Sequence, residues 1–245
     1  MKQIHYTLCI LAIILVSSCS PAYYGPSTMH LPSLEKKGDL VVSANRSRSK
    51  SDNSTVLESF GTDINVAYSP VDNIALTVGF NDFVNHNVSE NPELDINNLT
   101  MGNLGIGYYA PINDKFSYEA YVDSNVGEFH GSRFTSEVSA LTTKIGVKSG
   151  IAFKTKYTSI LFGLGFYNLK YSNINGSSTR DVRYLEDHSS SLLREYSITF
   201  RAGTERIKGQ WQFGRSSNMT HRDFLQTNSY TSFGLLVNLN VLDKL

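Results

Sequence analysis

The feature that most constrains the fold is an alternation of apolar and polar residues that recurs along the chain. In residues 73–83, for example, Ile74, Leu76 and Val78 share one parity, while small and polar residues occupy the other. Because side chains alternate across a β-strand, this period of two predicts strands with one apolar face. No stretch shows a convincing helical repeat, so we predict an all-β fold. The predicted strands are 39–47, 59–69, 73–84, 99–110, 115–128, 138–153, 157–171, 193–205, 209–217 and 229–242.

The connections between these segments alternate in length. Tight turns are predicted near residues 69–73, 111–115, 154–156 and 205–209, and longer polar loops near 48–58, 85–98, 129–137, 172–192 and 218–228. Short turns at one end and long loops at the other are typical of an outer-membrane barrel, in which the periplasmic turns are brief. We therefore predict an up-and-down antiparallel transmembrane β-barrel of about ten strands, with eight as the alternative count.

The polar faces of the predicted strands carry full charges. A hairpin folded about a loop centred near residue 133 places Asp123 opposite Lys144. The same register places Glu119 opposite Lys148, and opposite charges that face each other across strands attract. Charged residues on the polar faces of the predicted strands are expected to point into the lumen and form a charge network there. They are Asp63, Glu119, Asp123, Lys144, Lys148, Glu195 and Arg201. The alternative is a coincidental ladder of charges on a solvated surface.

The N-terminus has the pattern of an export signal. Lys2 supplies a positive charge, and residues 8–16 form an apolar run too short to span a bilayer. The run ends in Val16-Ser17-Ser18-Cys19, which resembles a bacterial lipobox. In a lipobox the cysteine is acylated and becomes the first mature residue, so Cys19 is the predicted lipidation site. The alternative is an ordinary secretory peptide with an incidental cysteine.

The segment that follows Cys19 has three prolines in residues 20–37 and no periodicity. It is predicted to be an extended tether. The predicted domains are a lipoprotein signal peptide at 1–18, a lipidated periplasmic tether at 19–38 and an outer-membrane barrel at 39–245.

With the lipobox-like Val16–Cys19 motif, the tether and the strands, the chain resembles small outer-membrane β-barrel lipoproteins of the Bacteroidota type. The resemblance implies an acyl (palmitate-type) anchor on Cys19. Outer-membrane lipid and membrane-protein complexes are the expected partners. Surface-displayed lipoproteins of such bacteria usually carry acidic residues soon after the cysteine, whereas the first acidic residue here is Glu35. The resemblance therefore implies an anchor on the periplasmic side of the bacterial outer membrane.

Charge and cysteine content narrow the partners. The 22 basic and 22 acidic residues cancel, so nothing in the net charge favours nucleic acid, and no nucleic-acid partner is expected. Cys9 leaves with the signal and Cys19 is modified, so a disulfide or a cysteine-based metal site is not expected. We also expect no cofactor, because the sequence contains no phosphate-binding loop or paired metal ligands.

Catalytic motifs are weak. His130 and Ser132, with Glu137 beyond, look like the His-x-Ser and acidic residue of lipid A deacylase barrels. A serine nucleophile needs an adjacent base held by a third group, and this spacing could supply both. The alternative is a polar outer loop made of common residues, and Asp187-His188-Ser189 is expected to be loop surface.

The sequence therefore predicts a lipid-anchored barrel with a structural or interaction role and without enzymatic activity. Three alternatives stay open: a lipid-modifying barrel enzyme, a narrow pore, and a soluble lipocalin-like binding module. A soluble module would point its apolar faces inward, whereas a membrane barrel points them outward.

Overall fold

The computed structural model describes residues 22–50, 57–87, 95–133 and 136–239. Its strands are β1 (Leu40–Lys50), β2 (Leu57–Val71), β3 (Ile74–Asn87), β4 (Asp95–Pro111), β5 (Phe116–Arg133), β6 (Ser136–Lys154), β7 (Thr158–Gly176), β8 (Ser190–Gly203), β9 (Ile207–Asn218) and β10 (Ser229–Asn238). A helix, α1 (Thr179–Asp187), lies between β7 and β8. Among these residues, no helix is both long enough and apolar enough to cross a membrane.

The ten strands form one closed antiparallel barrel. Each strand pairs with its neighbours in the sequence, and β10 pairs with β1 to close the sheet, with Val41 opposite Asn238 and Lys50 opposite Ser229. The predicted up-and-down barrel of about ten strands is confirmed. Closure leaves no free sheet edge, so the backbone polar groups of the strands are paired within the sheet.

The outer surface of the barrel is apolar and the inner surface is largely polar. On β3, Leu76 and Val78 are 44% and 53% exposed, whereas the intervening Thr77 is 3% exposed and faces the interior. Apolar side chains at comparable positions circle the barrel: Ile64, Leu104, Val122, Val147, Phe162, Ile198, Phe213 and Phe233. This arrangement is the reverse of a water-soluble sheet and matches a lipid-facing band, which argues against the lipocalin-like alternative.

Connections at the two ends of the barrel differ. At the short-turn end, the strands are joined by residues 72–73, 112–115, 155–157 and 204–206, close to the predicted tight turns. At the long-loop end, longer connections precede β2 and β4, α1 lies between β7 and β8, and residues 219–228 join β9 to β10.

The predicted long loop at 129–137 is wrong. Only residues 134 and 135 lie between β5 and β6, because both strands continue beyond the predicted boundaries. Phe129 and Val138 explain the extension, because both side chains are buried in the interior only if the two strands continue to pair. Their burial stabilises the longer strands.

The interior has two apolar layers at different heights. The upper layer lies toward the long-loop end and includes Tyr23, Tyr24, Phe83, Leu99, Met101, Phe129, Tyr171 and Leu185. The lower layer lies toward the short-turn end and includes Met29, Leu31, Leu34, Val41, Tyr109, Tyr121 and Leu161. Both layers contain residues that precede β1, so the segment before the first strand is part of the barrel interior.

Candidate functional site

Residues 22–34, here called the plug, run through the barrel from one end to the other. At the long-loop end, Asn97 Nδ2 donates to the Ala22 carbonyl at 3.1 Å, and the Tyr23 amide donates to the Leu225 carbonyl at 2.9 Å. At the short-turn end, the Ser33 amide donates to Glu119 Oε2 at 3.2 Å. Most plug residues are buried, and the chain then turns at Gly38 into β1. The plug therefore crosses the lumen in the direction opposite to β1.

The prediction of a periplasmic tether at 19–38 is wrong for its described part, because residues 22–34 lie inside the barrel. Lack of periodicity and the presence of proline indicate an extended chain, but they do not distinguish a chain in water from one in a lumen. Proline suits the lumen for a further reason: Pro26 and Pro32 have no amide hydrogen that would need a partner there. Residues 19–21 lie outside the described residues.

The upper part of the plug is fixed by aromatic contacts and by α1. The Tyr23 hydroxyl donates to Asp181 Oδ1 at 2.7 Å, and the Tyr23 ring stacks on Tyr184 with centroids 4.8 Å apart. The Tyr171 hydroxyl donates to the Tyr23 carbonyl at 2.8 Å. These contacts tie the plug both to the helix and to the barrel wall.

Below this level, Tyr24 joins a buried ion pair between β6 and β8, the two strands on either side of β7. Lys144 Nζ lies 3.0 Å from both carboxylate oxygens of Glu195 and 2.8 Å from the Tyr24 hydroxyl, which itself donates to Glu195. Lys144 Nζ also lies 4.1 Å from the centroid of the Tyr167 ring. The two charges are therefore paired and hydrogen-bonded, which a buried ion pair requires to be tolerated.

In the middle of the lumen, Gln212 binds the plug backbone as a neighbouring strand would. Its Nε2 donates to the Met29 carbonyl and its Oε1 accepts from the Met29 amide, each at 2.9 Å. The Tyr230 hydroxyl donates to the same Oε1 at 2.6 Å. Both backbone groups of a buried, non-strand residue are thus satisfied by side chains of the wall.

The lower part of the plug is held by charged side chains. Arg201 Nη2 donates to the Leu31 carbonyl at 2.6 Å, and its Nη1 donates to Ser33 Oγ at 3.2 Å. Glu119 accepts from the Ser33 amide and, at 2.9 Å, from the Tyr121 hydroxyl. Charges on the wall therefore serve as partners for backbone groups of the plug as well as for each other.

Two glycines of the wall make room for the plug. A Cβ atom added at Gly150 would lie 2.5 Å from Leu31 Cδ1, and one added at Gly163 would lie 2.5 Å from Met29 Sδ. Real Cβ atoms do not approach other atoms so closely, so the wall is shaped to fit these two plug side chains.

The seven residues predicted for the lumen charge network all have buried side chains in the barrel interior: Asp63, Glu119, Asp123, Lys144, Lys148, Glu195 and Arg201. Their pairing differs from the prediction. Lys144 pairs with Glu195, and Lys148 Nζ lies 2.7 Å from Asp123 Oδ2.

The predicted register of β5 and β6 is wrong by two residues. Asn125 lies opposite Lys144, and Tyr121 lies opposite Lys148. The error follows from the hairpin centre, which falls between residues 134 and 135 rather than near 133. Asp123 lies directly opposite Gly146, so Lys148 reaches it along the diagonal.

A double-mutant cycle tests the observed register. We expect Asp123→Asn and Lys148→Met to show a coupling energy of about 1–3 kcal/mol in the free energy of unfolding, because the two groups form a buried pair. The matched cycle of Asp123→Asn with Lys144→Met should show clearly weaker coupling. Denaturant unfolding of the detergent-solubilised barrel measures both cycles, and stronger coupling to Lys144 would contradict the register.

The weak catalytic candidates lie on the outer surface near the end of β5 and the start of β6. Ser132 and Glu137 are directly opposite each other. His130 Nε2 lies 3.1 Å from Glu128 Oε2, and both of these side chains are largely exposed. The hydrogen bond that a catalytic histidine would use to activate Ser132 is thus directed to a different, solvent-exposed group.

Comparisons with known proteins agree with the barrel fold. No protein-family model matches the sequence, and no curated protein matches it. Among solved structures, the translocator domain of autotransporter NalP from Neisseria meningitidis has a TM-score of 0.50 and 10% identity, over 84% of this chain and 90% of that chain.

Two further structures give lower scores. An outer-membrane channel from Pseudomonas putida F1 has a TM-score of 0.45 and 11% identity, over 87% of this chain and 100% of that chain. The outer-membrane protease OmpT from Escherichia coli has a TM-score of 0.41 and 9% identity, over 82% and 96%. The comparison with the NalP domain shows that the fold is that of an outer-membrane β-barrel, and at this identity it shows the fold alone.

Proposed function

We propose that this chain is a lipid-anchored outer-membrane barrel with a structural or interaction role, closed by its own plug. The observation that carries the proposal is the path of residues 22–34, which fill the lumen and bond to the wall at every level. The apolar belt supports contact with outer-membrane lipid, and membrane-protein partners are proposed at the loops. No residue of the lumen is assigned a reaction.

The plug argues against the narrow-pore alternative. Two apolar layers lie across the lumen, and both include plug side chains such as Tyr24 and Leu31. The polar region that contains Asp63, Lys144 and Glu195 keeps a cavity of about 30 Å³. That volume suits about one water molecule and is too small for a continuous column of water.

The path of the plug also bears on the side of the lipid anchor. Cys19 precedes Ala22 by three residues, so their Cα atoms are at most roughly 11 Å apart. Ala22 is held at the long-loop end, which faces outward in outer-membrane barrels. We therefore propose an acylated Cys19 on the outer side of the membrane, in place of the periplasmic side expected from the late position of Glu35.

Mass spectrometry tests the lipid. We expect the mature protein to begin at an acylated Cys19, and Cys19→Ala to lose the lipid mass. The variant should remain in the membrane after carbonate extraction, because the apolar belt of the barrel buries more surface than one lipid anchor. An unmodified Cys19 would contradict the anchor, and release of the variant in soluble form would contradict the barrel in the membrane.

An epitope tag tests the side. A short tag inserted between Ser20 and Pro21 should bind antibody on intact cells, because the plug that follows it enters the barrel from the long-loop end. A tag inserted between Asn113 and Asp114, in a short turn, is the matched control and should bind only after permeabilisation. The reverse pattern would place the anchor in the periplasm.

A further inference from the structure

Three side chains with metal-ligating atoms meet at the long-loop end, outside the lumen. His188 follows α1 directly, and His221 and Asp223 lie in the connection between β9 and β10. One ligand atom from each residue lies within 4.8 Å of the other two. His188 Nε2 lies 3.4 Å from Asp223 Oδ2. Residues separated by more than 30 positions are thus brought together by the packing of the helix against the loop.

The His188 ring is oriented for metal binding by a backbone carbonyl. Its Nδ1 lies 2.8 Å from the Tyr184 carbonyl oxygen, so this nitrogen carries the hydrogen and donates it. In the neutral ring, Nε2 then holds the free lone pair and faces Asp223. Metal-binding histidines commonly have this arrangement, in which a carbonyl fixes the tautomer and the ring plane.

The loop that carries the other two residues is also held in place. Asn218 Oδ1 accepts from the amides of Thr220 and His221, at 3.0 and 2.8 Å. The Tyr184 hydroxyl accepts from the Leu225 amide at 2.7 Å and donates to the Asp223 carbonyl at 3.3 Å. The same tyrosine therefore connects α1, which carries His188 at its end, to the loop that carries the other two side chains.

Two imidazoles and a carboxylate are ligands typical of zinc and neighbouring divalent transition metals. Zinc bonds of about 2.0–2.2 Å in a tetrahedral site separate two ligand atoms by roughly 3.4 Å, which is the distance from His188 to Asp223. The His221 ligand nitrogen lies within 4.8 Å of these two atoms, so its half-exposed ring would have to rotate to bind the same ion.

We propose that His188, His221 and Asp223 bind a divalent transition-metal ion of the zinc class, with a fourth position left for water or for a partner's ligand. The ion links the end of α1 to the connection between β9 and β10. Because α1 also contacts the plug through Asp181 and Tyr184, the metal ion would fix α1 and the β9–β10 connection in place above the plug. The proposal is independent of the lipid anchor.

The test is a calorimetric titration of the full mature protein, in detergent and without a histidine tag, with zinc chloride alone. We expect one high-affinity site per barrel. His188→Ala and His221→Ala should each weaken zinc binding by more than the roughly 10–100-fold that loss of a supporting hydrogen bond costs at a metal site. X-ray absorption of the zinc-loaded protein should show two imidazole nitrogens at about 2.0 Å.

His130→Ala is the matched control, since His130 also contacts a carboxylate, Glu128, but belongs to no group of three ligands among the described residues. It should leave zinc affinity unchanged. Each variant is checked for a folded barrel on a heat-modifiability gel, and His221→Gln replaces any that fails. Absence of binding, binding that survives loss of both histidines, or an equal effect of His130→Ala would overturn the proposal.

Discussion

Deletion of residues 22–34 is expected to convert a non-conducting barrel into an open channel. The plug supplies side chains to both apolar layers, so its loss removes material from every level of the lumen. Packed β-layers lie about 10 Å apart, so removal of an extended chain from the lumen leaves an opening of roughly that width. Such an opening would admit water and small solutes. The charged wall left behind, including Glu119 and Arg201, would be hydrated.

Planar-bilayer recordings measure the effect. The intact protein should show no steady current, and the deletion should show discrete conductance steps. A variant in which residues 23–34 become an equally long Gly-Ser segment keeps the chain length and should give a fluctuating current. Steady conduction by the intact protein, or a silent but folded deletion variant, would contradict the assignment of this segment as the plug.

Lys144→Met is expected to destabilise the barrel by about 3–5 kcal/mol. It leaves Glu195 as a buried carboxylate whose remaining partner here is the Tyr24 hydroxyl. Adding Glu195→Gln removes the second charge and should recover most of the loss, because a neutral amide can still bond to Tyr24. Unfolding in urea, followed by Trp211 fluorescence, measures each free energy.

Lys154→Met is the matched control. Lys154 forms a similar ion pair with Glu35 at 3.3 Å, but that glutamate side chain is 70% exposed, so the pair is screened by water. The expected loss is below about 1 kcal/mol. Similar losses for the two lysine variants would show that the Lys144 pair is not isolated from solvent.

The strands were predictable because successive side chains of a β-strand point to opposite faces of the sheet, and this rule holds along each strand. Leu76 and Thr77 must lie on opposite faces wherever the strand pairs. The short turns, such as residues 72–73, were equally local. The fold class then followed from the distribution of turns and loops, without any knowledge of which strands touch.

The strand register and the pairing of the buried charges could not be predicted from local sequence. The pairing of Asp123 with Lys148 depends on where the β5–β6 hairpin turns, and residues 129–137 contain no strong turn signal. Lys144 lies on β6 and Glu195 on β8, and these strands are not joined by a hairpin. The register of a hairpin therefore could not predict their pairing. Which buried charges meet depends on which strands lie within reach of each other in the closed sheet.

The plug was missed because an aperiodic segment with prolines has the same pattern inside a lumen as outside it. One signal was present: Tyr23, Tyr24 and Leu31 are large side chains that a solvated tether has no reason to carry. The His188 and His221 group was missed for another reason, since the conformation of two connections brings the residues together. Cys19 lies outside the described residues and stays a prediction.

Closure of the sheet around the plug has a consequence for the order of assembly. The pairing that closes the barrel joins residues far apart in the sequence, Val41 and Asn238, so it forms only after β10 has been synthesised. The acyl group that we propose on Cys19 would lie three residues before Ala22, so it would have to cross the filled lumen if the plug entered a finished barrel. We therefore expect the strands to wrap around residues 22–34 before β1 meets β10, with the plug as a template on which the wall is built.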